Sequence, residues 1–298
     1  MDIVDDVLGT KQSNNYNKSK NNYKKNSWKE SQDRLRNWAY DTMEEMTQKV
    51  KNDSFLFKQY LDIQSKFEKY SVGNSLLILK QFPEAMLFKD KQSWKESNIL
   101  LNQNPKHIII LEPCLSEKTG RTYYNPKEMY DVSQTNAEKP SKINYDIRTI
   151  LQGFFNNCFA EKKAVDELPD NRVGGAYYDK TQNILYIARG TEETTLLKSL
   201  TNALAEIEMR GEIDNSFKNF KCKCISYMLC KKYEIDVSKD TIPNIPFEIS
   251  SQEKARDARE VIDQIRINFD TINSRIVEGL ENRNNETKQK KKVQERQV

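Results

Sequence analysis

The last part of the chain carries one long amphipathic pattern, between residues 252 and 280. Apolar side chains recur there at steps of three and four residues, and this spacing predicts a helix with one continuous apolar face. Such a face has to be covered by the rest of the fold, by a second copy or by a partner. Its members are Ala255, Ala258, Ile262, Ile265, Phe269, Ile272, Ile276 and Leu280.

Shorter helix and strand patterns precede this helix and predict an α+β fold. Helical spacing begins near Ser31 and recurs at 54–70, 72–81, 143–159, 192–209 and 215–233, whereas strand patterns occupy 107–111, 121–132, 174–178 and 184–188. We expect an N-terminal helical and β domain over residues 31–140, a second α+β domain over 141–245, and the long C-terminal helix over 246–281.

Both ends of the chain have the composition of disordered basic tails, over residues 1–30 and 282–298. Residues 7–29 contain six lysines and no acid, so they bury too little apolar surface to fold alone. Tyr16, Tyr23 and Trp28 are interleaved with these lysines, which suits base stacking beside phosphate contacts; a simple solubilising leader is the alternative. The acidic and apolar segment Met1–Leu8 has no assigned role.

Histidine is nearly absent, and this excludes many enzyme classes. His107 is the only histidine in 298 residues, whereas catalytic zinc sites usually take two or three imidazoles and serine or cysteine triads need one. His107 lies in a β-like apolar run and is predicted at a strand edge. The composition therefore favours a binding protein over a catalyst.

Charge and cysteine content suit a protein of a reducing, cytoplasmic compartment. The net charge is only +4, so basic residues must cluster in order to matter. No apolar run is long enough to span a bilayer, and no signal peptide is recognised at the N-terminus. The cysteines are odd in number, which fits a reducing compartment, and they are Cys114, Cys158, Cys222, Cys224 and Cys230. For the closely spaced Cys222, Cys224 and Cys230, buried free thiols are favoured over a metal site.

One helix of the first domain presents side chains suited to nucleic acid. Tyr70, Asn74 and Gln81 are four and seven residues apart, which predicts one shared face. An aromatic ring stacks on a base, and amides bond base edges or the sugar-phosphate backbone. Core roles for Tyr70, Asn74 and Trp94 remain the alternative. The lysines around this stretch that can neutralise phosphates are Lys66, Lys69, Lys80, Lys89, Lys91 and Lys95.

Three segments together resemble the ArdC family of antirestriction and mobile-element proteins. They are Tyr70-Ser-Val-Gly-Asn74 continuing to Gln81-Phe-Pro83 with Trp94 beyond, then Met129-Tyr-Asp131-Val-Ser-Gln134-Thr135, and finally 174–209 with 220–236. The resemblance implies an N-terminal domain that binds single-stranded DNA and a C-terminal zincin-like peptidase domain. It adds Trp94 and Gln134 to the candidate DNA-binding residues.

The second domain departs from that family where the chemistry is done. A zincin helix reads His-Glu-x-x-His, and the aligned residues here are Asn202-Ala203-Leu-Ala-Glu206. A lysine, Lys223, stands where the family places a glutamate on the next helix. These changes predict a zincin frame that binds no metal and has no peptidase activity. A zinc set of Cys222, Cys224 and Glu206 is the disfavoured alternative, because residues two apart on a helix point to different sides.

The sequence therefore predicts a non-enzymatic, cofactor-free protein of a plasmid, conjugative element or phage that binds single-stranded DNA. The alternative is a protein-interaction scaffold that uses the degenerate peptidase groove and pairs with itself or a partner through the 252–280 helix. A residual metalloenzyme is a third hypothesis. No membrane contact is expected.

Overall fold

The computed structural model describes residues 10–138, 146–156, 158–242 and 244–295, with side chains described between Trp28 and Leu280. The predicted roles of Met1–Leu8, of the rings of Tyr16 and Tyr23 and of the lysines at 288–292 lie outside this description. The helices are α1 (Thr10–Val50), α2 (Ser54–Lys66), α3 (Val72–Gln81), α4 (Lys91–Glu96), α5 (Ile147–Asn156), α6 (Glu193–Glu208), α7 (Ser216–Lys232), α8 (Phe247–Ser250) and α9 (Ala255–Glu295), and the strands are β1 (Phe88–Lys89), β2 (Ile108–Leu115), β3 (Thr122–Asp131), β4 (Glu161–Val165), β5 (Ala176–Asp179) and β6 (Ile184–Ala188).

Helix α3 has the bounds that the sequence predicts, because both ends carry local signals. The Ser71 hydroxyl caps its first turn by accepting a hydrogen bond from the backbone nitrogen of Asn74 at 3.3 Å. At the other end, Pro83 follows two residues after Gln81 and prevents the helix from continuing. The helix buries Leu76, Leu77 and its neighbours, and therefore its position relative to the first sheet is fixed by packing.

The first sheet has the order β1-β3-β2, and all its neighbours are antiparallel. Ile108 is opposite Met129 and Leu115 is opposite Thr122, so β2 and β3 form one long hairpin. Only Ile108–Leu111 of β2 is buried, and the outer half of the hairpin projects into solvent. This arm carries the exposed Tyr123 and Tyr124.

The second sheet contains the predicted hairpin β5–β6 and an additional strand, β4, which runs parallel to β6. No apolar periodicity marks β4 in the sequence, because its Glu-Lys-Lys-Ala-Val segment is mostly exposed. Gly175 lets the sheet approach helix α6: a Cβ placed there would lie 2.5 Å from the Cα of Leu196.

One continuous apolar cluster joins both predicted domains and helix α9. Every member of the 255–280 stripe is at most 5% exposed. Helix α9 packs on the helices α1, α3, α5, α6 and α7. A large apolar side chain such as Phe269 stabilises a fold by about 1.5–3 kcal/mol when fully buried. The face on which self-association was predicted is thus used inside the molecule.

Several local features differ from the predictions. Helix α1 begins at Thr10 and α9 continues to Glu295, whereas we expected disorder over 10–30 and 282–295. Neither stretch contains glycine or proline, so both continue a helix without a helix-breaking residue. Phe55, an apolar residue in the predicted 54–70 helix, is 71% exposed. The α+β class is confirmed.

Within the described part of the chain, no helix combines the length and the apolar character needed to cross a membrane.

Candidate nucleic-acid groove and degenerate metal site

Asn74 and Gln81 do lie on one face of α3, and both bind the free edge of strand β2. The Asn74 amide donates to the carbonyl oxygen of Leu111 at 2.9 Å and accepts from the Leu111 nitrogen at 2.8 Å. Gln81 makes the same pair of bonds with Ile109, both at 2.9 Å. The two amides therefore act as a substitute for a neighbouring strand, and Asn74 is only 7% exposed.

The other polar residues of the resemblance also bind backbone groups. Trp94 is 1% exposed and donates from Nε1 to the carbonyl oxygen of Tyr130 at 2.9 Å. Gln134 accepts from the Lys106 nitrogen at 2.6 Å. Asp131, fully buried, accepts from the nitrogens of Met86, Leu87 and Ser133. These side chains position the first sheet and its loops.

A groove of about 430 Å³ opens beside this scaffold, between the start of α3 and the β2–β3 hairpin. Its lining contains Tyr70, which the sequence predicted, and Tyr124, which it did not. Lys69 and Lys127 also line it, together with Ser71, Asn74, Ile110, Leu111, Glu112, Pro113 and Met129. The volume lies in the range of small-ligand pockets and accommodates a nucleobase.

Residues that do not line the groove position its two tyrosines. Tyr70 is half-buried and stacks on Phe67, with ring centroids 5.7 Å apart and an interplanar angle of 24°. Burial raises the pKa of the Tyr70 hydroxyl, so its phenol stays neutral. Arg36 of α1 donates from Nε to the carbonyl oxygen of Tyr124 at 2.8 Å and from Nη2 to the Asn125 side chain. Helix α1 thereby fixes the arm that carries Tyr124.

The two groove lysines are already paired with carboxylates. Lys127 lies 2.7 Å from Glu112 and 3.4 Å from Asp90, and its hydrogen bond to Glu112 is the main cause that raises its pKa. Lys69 lies 2.7 Å from Asp270 of α9. Each ammonium group therefore has a carboxylate beside it, and the groove combines aromatic surface with paired rather than free positive charges.

The remaining predicted lysines do not form one surface. Lys66 donates to the Ala85 carbonyl oxygen at 3.2 Å, and burial lowers its pKa. Lys80 pairs with Glu45 of α1 at 3.3 Å. Lys89 donates to Ser97 at 2.9 Å and lies over the Trp94 ring. Lys91 is exposed on α4.

The positions for which the sequence predicts a degenerate metal site lie on α6 and α7, and their side chains do not form a set of metal ligands. The Asn202 amide donates to Glu206 at 2.7 Å, and Ala203 is 2% exposed in the core. Burial raises the pKa of Glu206, which favours the protonated form, a poor ligand. Lys223 lines the same cavity as Asn202. These four positions thus offer an amide, a methyl group, a largely buried carboxyl group and an ammonium, and none of them offers an imidazole.

The alternative cysteine set fits a metal no better. Cys222 is 2% exposed and Cys224 is fully buried, and burial raises the pKa of Cys222 to about 12 and that of Cys224 well above its usual value. A metal ligand must be a thiolate. Among the residues that the structure describes, no group of three histidine, cysteine, aspartate or glutamate side chains is arranged to hold a metal ion.

No known family profile matches the chain, whereas a curated protein and solved structures are similar to it. The chain is 22% identical to the uncharacterized protein pXO2-81 of Bacillus anthracis over 76% of its own length, and it spans about half the length (49%) of that curated relative. It is similar to the Mn(II)-bound crystal structure of the antirestriction protein ArdC from plasmid R388, with a TM-score of 0.43, 13% identity, and coverage of 71% of this chain and 85% of that one. The metal-free structure of the same protein gives a TM-score of 0.40 and 12% identity, over 72% of this chain and 86% of that one. Both solved structures are of ArdC, the family that the sequence motifs resemble.

Proposed function

We propose that this protein binds single-stranded DNA in the groove between α3 and the β2–β3 hairpin, and that it serves a mobile genetic element without peptidase activity. The observation that carries the proposal is the meeting of Tyr70 and Tyr124 with two lysines in one open groove. The antirestriction role follows from the family resemblance alone.

The groove offers the parts that unpaired strands require. Exposed or half-buried tyrosine rings stack on bases whatever their identity, and a duplex does not present its base faces to such a ring. Lys69 and Lys127 lie at the same groove to meet phosphates. Asn74 and Gln81 act as positioning residues, because their amides already hold the strand that forms the groove wall.

Tyr124→Ala is the sharpest test, because the neighbouring Tyr123 provides a matched control. The two rings have similar exposure, 43% and 46%, and they follow each other on β3, but only Tyr124 lines the groove. Loss of one stacked ring weakens binding by about 1–3 kcal/mol, or roughly fivefold or more. We expect this loss in fluorescence anisotropy with a labelled oligonucleotide for Tyr124→Ala and unchanged affinity for Tyr123→Ala. If Tyr124→Ala and Tyr123→Ala changed the affinity for DNA equally, the groove would not be the binding site.

Salt dependence distinguishes the groove from the basic tails. Two phosphate contacts on a single strand give a slope of log affinity against log salt of about −1.4. The six lysines of residues 7–29 would give a much steeper slope. Because both groove lysines are paired with acids, we expect a shallow slope and a preference for single-stranded over double-stranded DNA. A steep slope that Tyr124→Ala leaves unchanged would assign binding to the tails.

The absence of peptidase activity rests on the donor set at Asn202, Ala203, Glu206 and Lys223. None of the four supplies an imidazole, and Ala203 has no group that takes a proton from water. Elemental analysis of the purified full chain, with a casein cleavage assay, tests this part. Stoichiometric transition metal together with cleavage that a chelator abolishes would contradict it.

A further inference from the structure

A second cavity, of about 360 Å³, lies between α6, α7 and the segment at 239–242. It is on the peptidase-like half of the molecule and shares no lining residue with the groove. Its lining residues are Lys198, Asn202, Lys223, Ser226, Tyr227, Cys230, Lys239, Asp240, Thr241 and Ile242.

The lining of this cavity carries an excess of positive charge. Lys198, Lys223 and Lys239 contribute three ammonium groups, and Asp240 contributes the one carboxylate of the lining. Asp240 is engaged with Lys198 at 2.7 Å. Within the described part of the chain, neither Lys223 nor Lys239 forms an ion pair with a carboxylate. Two ammonium groups at one cavity are thus left without a counter-charge.

Nearby acidic groups do not cancel this charge. Asp236 lies close enough to Lys198 and Lys239 for both to contribute to its lowered pKa, but its main partner is the backbone of Ser238, and it is not part of the lining. Burial raises the pKa of Cys230 to about 11, so this thiol adds no negative charge at neutral pH.

Neutral donors complete the cavity. The hydroxyl of Ser226 lies 2.8 Å from that of Thr201, which also contacts the Cys230 sulfur at 3.3 Å. The hydroxyl of Tyr227 donates to Asp62, away from the cavity. Hydroxyl groups beside unpaired ammonium groups form the charge-assisted hydrogen bonds that phosphate oxygens accept.

We propose that this cavity binds a phosphate group, held by Lys223 and Lys239 with support from Lys198 and Ser226. A phosphate occupies only part of the volume, so the ligand class is a phosphorylated molecule, either a free nucleotide or the terminal phosphate of a DNA strand. The positive charge that opposes a metal cation at Lys223 is the charge that attracts this anion. The peptidase-like half then serves as an anion-binding module.

Isothermal titration calorimetry of the full chain with inorganic phosphate tests the proposal, with sodium chloride at the same ionic strength as the reference. Lys223→Gln with Lys239→Gln removes the two unpaired charges, and Lys254→Gln, an exposed lysine directly before α9, is the matched control. We expect phosphate binding that the double variant weakens by roughly tenfold and that Lys254→Gln leaves unchanged. No saturable binding of phosphate, or equal binding by the double variant, would overturn the proposal.

Two further titrations distinguish the sources of the phosphate. Binding of a nucleoside monophosphate but not of its nucleoside assigns the cavity to a free nucleotide. A tighter complex with a 5′-phosphorylated oligonucleotide than with its 5′-hydroxyl form assigns it to a strand end. Both results support the proposal. Its failure leaves the groove untouched, because Tyr124 is absent from this cavity.

Discussion

Asn74→Ala separates a structural amide from a ligand-binding one. The substitution removes the side-chain amide that bonds the Leu111 nitrogen at 2.8 Å and the Leu111 carbonyl oxygen at 2.9 Å. Leu111 is only 3% exposed, so water does not readily replace these bonds. Each buried polar group left without a partner costs about 1–3 kcal/mol. We therefore expect the free energy of unfolding to fall by about 2–4 kcal/mol, measured by urea denaturation followed by far-ultraviolet circular dichroism.

A shape-conserving variant and a surface control complete this experiment. Asn74→Asp keeps an acceptor for the Leu111 nitrogen but places an oxygen against the Leu111 carbonyl, so it should destabilise the protein at least as much as alanine. Lys91→Ala, on the exposed side of α4, should stay within about 0.5 kcal/mol of the parent protein. If Asn74→Ala unfolds like the parent while losing affinity for DNA, the amide contacts the ligand and the positioning role is wrong.

Three other expectations follow from single contacts. Gly175→Ala should destabilise the protein by about 1–3 kcal/mol in thermal unfolding, because a Cβ would meet the backbone of Leu196 at 2.5 Å; an unchanged midpoint would contradict this packing. A thiol reagent at mildly alkaline pH should modify Cys114 in the native protein while Cys222, whose pKa burial raises to about 12, reacts only after unfolding; rapid modification of Cys222 would refute its burial. Glu192 accepts hydrogen bonds from the backbone at the start of α6, and these lower its pKa from 4.5 to about 2. Its contribution to stability is therefore complete above about pH 4.5 and is lost as the pH falls through about 2. Glu192→Gln should reduce this acid dependence of stability in denaturation measured across pH.

The elements that the sequence predicted well are those in which local signals and apolar spacing agree. Helix α3 combines the Ser71 cap, a buried face and Pro83, and its bounds were predicted at both ends. Strand β4 is exposed along its length and is formed by pairing with β6, so no periodic pattern marks it. The two-residue strand β1 is likewise defined by its partner β3 rather than by its own composition.

The candidate groove was predicted only in part, for a related reason. Helical spacing correctly placed Asn74 and Gln81 on one face, but the sequence did not indicate that an edge strand would lie against that face. Tyr124 and Lys127 come from a strand about fifty residues further along the chain, and tertiary packing brings them to Tyr70. The available signal was a pair of adjacent tyrosines on a predicted strand, where alternation leaves at least one ring away from the core.

The amide pairs on β2 have a consequence for how copies of this protein meet. Backbone groups that point away from β3 recur at every second residue, and in β2 they belong to Ile109, Leu111, Pro113 and Leu115. Gln81 closes the first position and Asn74 the second, while proline has no amide hydrogen to offer at the third. An open sheet border invites a foreign strand to add itself and begin aggregation. The inner part of this border is therefore closed, and a foreign strand cannot extend the sheet along Ile109 and Leu111.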